Sequence, residues 1–194
     1  YSTDAPNPEL DPQRSTGATL GLRWQPDPES ELAVSLYADR VDDLITRLGR
    51  NVPYENQERA ELAGLEVSAR RTWSRVDLGF EGALLHAELV ESSLGLDEVP
   101  LVPDATVDLD LGVAVGGAGD LRLHWTWVGR RVWVDGETRA VLDPYDLVRA
   151  SFAWRWPALE LELTLDNALD ADVEPEWGYP LAGRRLWASL HVRL

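Results

Sequence analysis

The sequence predicts an all-β chain: an antiparallel up-and-down transmembrane β-barrel segment of about nine strands. Three observations lead there. Apolar side chains alternate with small, polar or charged ones over most of the chain, which is the two-residue period of a strand with unlike faces. The connections between these stretches are short and long in strict turn, as in outer-membrane barrels with tight periplasmic turns and long external loops. Tryptophans gather at the ends of the stretches, where one part of the ring sits in hydrocarbon and another reaches water.

Each strand rests on its own pattern. Early strands fit at 18–24, 32–39, 65–71 and 76–84. In 106–115, Val107, Leu109, Leu111, Val113 and Val115 alternate with Asp108, Asp110, Gly112 and Ala114. In 121–127, Leu121, Leu123, Trp125 and Trp127 enclose Arg122, His124 and Thr126. Strand 148–156 alternates Val148, Ala150, Phe152, Trp154 and Trp156 with Arg149, Ser151, Ala153 and Arg155. Strand 159–166 sets four leucines against Glu160, Glu162, Thr164 and Asp166. Strand 186–194 alternates to the last residue, Leu194. No stretch is helical by pattern.

The short connections are 25–31, 72–75, 116–119 and 157–158; the long ones are 41–59, 88–103, 130–145 and 167–183. Trp24, Trp73 and Trp156 flank short turns, and Trp133, Trp177 and Tyr179 belong to the long-loop half. Alternation alone would also suit a soluble antiparallel sheet with one buried face. The connection asymmetry and the tryptophan positions select the membrane barrel.

Composition narrows the function. No run approaches 18 apolar residues, which excludes a spanning helix. Cys is absent, so disulfides, thiolate metal sites and cysteine nucleophiles drop out. All 18 basic residues are arginine, and the formal charge of −16 argues against nucleic acid as a partner. The chain opens at Tyr1 and reads as a fragment or a processed product.

The order of several short motifs resembles the C-terminal part of TonB-dependent outer-membrane receptors. Asn7-Pro8-Glu9-Leu10-Asp11-Pro12-Gln13 with Ser15-Thr16 is similar to the family's lead-in to a strand. Tyr37-Ala38-Asp39-Arg40-Val41-Asp42-Asp43-Leu44-Ile45 resembles its strand and loop ending in Asp-Leu-Ile. Tyr54-Glu55-Asn56, Ala60 and Gly64-Leu65-Glu66 follow in order, as do Asp166-Asn167-Ala168-Leu169-Asp170 and Tyr179-Pro180-Leu181-Ala182-Gly183-Arg184. Leu169, Val173 and Leu194 depart from the aromatic residues usual there. The resemblance implies the last nine or so strands of a barrel of about 22, with the plug domain and earlier strands of the same chain outside 1–194. It further implies a Gram-negative cell outer membrane, surrounding outer-membrane lipid, the TonB complex as energy source, and uptake of a ferric siderophore or cobalamin-like ligand.

No enzyme is expected, and no cofactor. The same-face carboxylate pairs Asp108/Asp110 and Glu160/Glu162 read as a lumen wall matched by arginine rather than a glycosidase pair. His86, His124 and His191 lie on separate strands without metal-ligand spacing. The binding candidates are Trp133, Trp177 and Tyr179, exposed aromatics able to stack on flat ligand groups. Acidic residues crowd the long loops, among them Asp97, Glu98, Glu91, Glu137, Asp170 and Glu174. A solvated rim is the first reading of these; capture of a cationic or metal-bearing ligand, or divalent-ion bridging to lipopolysaccharide, is the second. A small passive channel and a soluble β-sheet binding module are the competing functions. On the barrel reading, Leu109, Leu111, Leu123, Phe152, Leu161, Leu163 and Leu190 face outward. Asp108, Arg122, Arg149, Glu160 and Arg193 then face the concave side.

Overall fold

The structure, a computed structural model, describes residues 7–46, 53–91, 97–135 and 138–192. Glu137, Arg193, Leu194 and the side chain of Glu91 lie outside the described residues. Eleven strands follow one another: β1 (Arg14–Asp27), β2 (Ser30–Thr46), β3 (Glu55–Trp73), β4 (Val76–Glu91), β5 (Ala105–Val115), β6 (Gly119–Val128), β7 (Arg131–Asp135), β8 (Thr138–Leu142), β9 (Tyr145–Arg155), β10 (Leu159–Asp166) and β11 (Arg185–Val192). Nine form one antiparallel sheet in the order β1-β2-β3-β4-β5-β6-β9-β10-β11, while β7 pairs with β8. The nine expected strands are thus this sheet. The two extra ones lie inside the connection expected at 130–145, which is a hairpin rather than a loop.

The first four strands also outrun their expected bounds. They are 14, 17, 19 and 16 residues long, although a tilted strand crosses a bilayer in about 9–11 residues. Most of the excess lies at the long-loop end. There the outward face turns polar, in the row Arg40↔Glu61↔Glu88. Water bathes that region, so the apolar alternation ends while the hydrogen-bonded ladder continues.

Register assigns every residue to a face. Leu20, Leu36, Leu65 and Leu84 are directly paired in one row. Arg23, Ala33, Ser68, Glu81, Asp108 and Thr126 form a row on the opposite face. A hollow of about 670 Å³ opens on that polar face, lined among others by Arg23, Ser35, Glu66, Ser68, Glu81 and Asp108. The polar side is therefore the concave one. Leu109, Leu123, Leu163 and Leu190 are exposed as expected. Leu111, Phe152 and Leu161 are instead half-buried, because same-face neighbours cover them: Leu78 and Leu123 flank Leu111, and Trp154 lies 6.0 Å from Phe152. Trp154 and Leu190 are paired on either side of Leu161. None is enclosed in a core. The buried hydrophobic clusters, Val41/Ala60/Leu89 and Val132/Val134, sit at the long-loop end.

The short turns fix the registers. Residues 28–29 join β1 to β2 and 74–75 join β3 to β4. Gly116 takes φ 59° in the turn before β6, and at Gly119 a Cβ would meet Trp154 at 2.8 Å. At 157–158 the expected register holds: the Trp156 N–H donates to the Leu159 carbonyl at 2.7 Å. Arg155 then meets Glu160 at 3.1 Å and Arg149 meets Asp166 at 2.6 Å. Such cross-strand pairs contribute about 0.2–1 kcal/mol each, and a one-residue slip would break both by reversing every face.

Among the described residues, β1 and β11 each pair on one side only. With eight antiparallel steps between them they run in the same direction, and no ladder joins them. Placing charge on the outward face tests the assignment. Leu163→Arg should destabilise the barrel that contains this sheet by up to about 2–4 kcal/mol, and the inward Thr164→Arg by clearly less, measured by urea titration in lipid vesicles. Equal costs would contradict the facing.

Candidate functional site

The long-loop end is built by hydrogen bonds between segments far apart in sequence. The Asn7 side chain donates to the Tyr54 carbonyl at 2.9 Å. Asn56 receives the Asp11 N–H at 2.8 Å and donates to the Asp11 and Asp43 carbonyls at 3.0 and 2.8 Å. Gln13 receives the Ile45 N–H at 3.2 Å. Three of the sequence motifs are thus one knot that anchors the lead-in to β1 against β2 and β3. Asp43, with φ 57°, supplies the local kink.

Segment 97–104 runs beside β4 and continues the line of β5 along its edge, through the Leu85 N–H to the Asp104 carbonyl at 2.8 Å and an antiparallel bridge between Glu88 and Glu98. Its Val99 packs on Val41, Ala60 and Leu89, and the Leu89 N–H donates to the Asp97 carbonyl at 3.0 Å. Leu101, at φ 62°, holds a conformation costly for a bulky side chain. Its N–H donates to the Val132 carbonyl at 2.7 Å, which ties the segment to the β7–β8 hairpin. Glu98 completes the link. It accepts two bonds from Arg130, at 2.9 and 3.1 Å, and one from Arg139 at 3.2 Å. These guanidiniums, Arg130 first, hold the Glu98 carboxyl below its ordinary value of 4.5.

The hairpin in turn carries the connection between β10 and β11. Arg131 is buried, with its guanidinium 4.8 Å from the Tyr145 ring centroid. It donates to the carbonyls of Gly129 and Glu174, and its Nε has no partner. Buried Asn167 donates to Ala171 and accepts from it, both at 2.9 Å, and donates to Ala182 at 3.4 Å. Asp170 receives the Arg184 N–H at 2.8 Å. Val173 is the most buried large side chain of the segment, at 2% exposure.

This scaffold brings two of the three expected aromatics together. Trp133 of β7 stacks on Trp177, with ring centroids 6.0 Å apart and planes at 29°. Trp177 is 52% exposed and Tyr179 48%, whereas Trp133 is half-buried. Tyr179 closes the same tight turn, its N–H donating to the Glu176 carbonyl at 2.9 Å across Gly178 at φ 77°. The result is a flat, partly open aromatic surface among carboxylates.

Below it, the lumen wall corrects one expectation. Glu160 is matched by Arg155, but the side chains hydrogen-bonded to Asp110 and Asp108 are not arginines. His124 bonds Asp110 at 2.8 Å, and Thr126 donates to Asp108 at 2.6 Å. Sequence reasoning missed Glu98, Arg130, Arg131 and Asn167 as organisers. A signal existed for the hairpin: Asp135-Gly136 lies between alternating hydrophobic residues, a strong short-range hairpin pattern.

A sheet with a lipid-facing apolar side, a polar concave side and a loop body at one end defines a segment of a transmembrane β-barrel. The sequence matches the family described as TonB dependent receptor-like, beta-barrel, over residues 1–168, and the chain belongs to that family, whose members are outer-membrane receptors and transporters. Among solved structures it is similar to the ferric-catecholate import receptor Fiu of E. coli K12, with TM-score 0.78, 16% identity, and coverage of 95% of this chain and 28% of Fiu. It is similar to the siderophore receptor PirA of Acinetobacter baumannii, with TM-score 0.76, 14% identity, and coverage of 93% and 32%. The ferric yersiniabactin uptake receptor FyuA of Yersinia pestis gives TM-score 0.75, 17% identity, and coverage of 92% and 28%. The chain thus spans less than a third of the length of these receptors. No curated protein matches it in sequence.

Two outcomes test the loop body. Glu98 is held below its ordinary value when folded, so its stabilising contribution is complete above about pH 4.5 and lost as pH falls through the depressed folded value. Acidification should therefore loosen the body, read as faster amide hydrogen exchange at 97–104 and 131–142; Glu98→Gln should show that exchange already at pH 7. Asn167→Ala, which removes three part-buried hydrogen bonds to the backbone of Ala171 and Ala182, should cost about 1–3 kcal/mol, read by urea titration of the full-length receptor.

Proposed function

We propose that residues 1–194 form the C-terminal part of the barrel of a TonB-dependent receptor that takes up a large, scarce ligand across the outer membrane. The ligand class is a ferric siderophore or cobalamin-like molecule. The loop body supplies part of the capture rim, with Trp133 and Trp177 as the stacking surface and Tyr179 beside them. The polar concave wall faces a plug domain of the same chain, and the TonB complex moves that plug. No residue of the chain has a covalent role.

The observation that carries this reading is the Trp133–Trp177 stack at 6.0 Å, formed by two different loops and held open to solvent above the polar face. The siderophore receptors among the structural neighbours support the ligand class.

Uptake of radiolabelled ferric siderophores and cobalamin by cells carrying the full-length receptor tests it. Uptake of one of them should require TonB. Trp133→Ala with Trp177→Ala should weaken its apparent affinity about tenfold, the equivalent of about 1.4 kcal/mol. Uptake that persists without TonB, or discrete channel steps from the purified chain in planar bilayers, would favour a small passive channel instead.

A further inference from the structure

Charge decides which ligands can reach the Trp133–Trp177 surface. Segment 97–104 contains Asp97, Glu98 and Asp104 and no basic residue, and 167–184 sets Asp170, Asp172, Glu174 and Glu176 against Arg184. Three arginines of the β7–β8 hairpin and its lead-in are engaged. Arg130 and Arg139 both bind Glu98. Arg131 is 5% exposed, and its two terminal nitrogens donate to backbone carbonyls.

The wall beneath continues the pattern. Arg122, Arg149 and Arg155 are each held by a wall carboxylate: Asp120, Asp166 and Glu160. In the hollow of about 670 Å³, Glu66, Glu81 and Asp108 face a single cation, Arg23, and Arg23 is itself bound to Glu31 at 2.7 Å. In a concave site with low-dielectric walls such fields add and focus. Among the described residues, a polyanion entering here meets carboxylates in excess of the exposed guanidiniums of Arg184 and Arg185. A cation finds the carboxylates and the negative faces of two indoles.

We propose that this rim is selective by charge: the ligand seated on Trp133 and Trp177 carries zero or positive net charge, and polyanionic chelates are excluded. This rests on the rim reading above and narrows it. It separates the chain from the ligand class named for its neighbour Fiu, a ferric catecholate.

Three iron complexes of like shape, each with aromatic faces, provide the test: the tris(catecholate) trianion, the neutral tris(benzohydroxamate) and the tris(bipyridine) dication. Binding to the full-length receptor in lipid vesicles is read by quenching of tryptophan fluorescence. The neutral and cationic complexes should bind at least about tenfold more tightly than the trianion at low salt. The gap should shrink as ionic strength rises and in Asp172→Asn/Glu174→Gln, whose exposed side chains hold no loop contact. If Trp133→Ala and Trp177→Ala leave all three affinities unchanged, or no complex binds, the rim reading falls and this inference with it. If those variants weaken binding but the trianion binds most tightly, the charge selectivity alone is overturned.

Discussion

Hydrocarbon offers no water to a backbone N–H or C=O, and every other feature of this molecule follows from that constraint. Within the membrane each strand must exchange its backbone bonds with a neighbour along its full length. Among the described residues the ladders from β1 to β11 do so with few interruptions, and register shifts fall near strand ends: between Trp24 and Asp27 at a short turn, and between Arg59 and Ala60 above the apolar band. The constraint also explains the short turns, which leave the fewest backbone groups outside a ladder. It makes the edges of β1 and β11 the exposed polar feature of the sheet.

Packing is inverted relative to a soluble sheet. The apolar side chains point out to lipid, and side-chain pairing does the work inside. Arg149 with Asp166 and Arg155 with Glu160 lock the register of β9 and β10. Glycine admits large neighbours where the sheet needs them. The Tyr37 ring occupies the space a side chain at Gly64 would fill, and Trp154 does the same over Gly119. Hydrophobic burial in the ordinary sense begins only where water returns, in the clusters around Leu89 and Val132.

That return of water lets function be built at one end. Above the apolar band the strands carry on, and three segments fold on each other through Glu98, Arg131 and Asn167. Glu98 and Arg131 link chain distant in sequence, and Asn167 holds its own connection together through Ala171 and Ala182. The aromatic surface of Trp133 and Trp177 is held by this frame rather than by its own packing, which keeps Trp177 half in solvent.

The barrel was legible in the sequence because the membrane imposes a local code. Lipid on one side and a wet lumen on the other force a two-residue alternation in 106–115, 121–127 and 159–166 that neighbouring residues suffice to reveal. The turn at 157–158 fixed its own ladder, so two ion pairs could be read from spacing alone. The code lapses where both faces are wet, which is why the upper halves of β2 and β3 and the β7–β8 hairpin escaped it, even with Asp135-Gly136 marking the turn. The pairing of Trp133 with Trp177, the commitment of Arg130 and Arg139 to Glu98, and the burial of Arg131 join residues separated by tens of positions, and no local pattern encodes them. The sequence by itself determined which residues meet lipid, because that choice is made one strand at a time; only the tertiary structure decided which loops meet each other, because that contact exists only once the sheet has set their spacing.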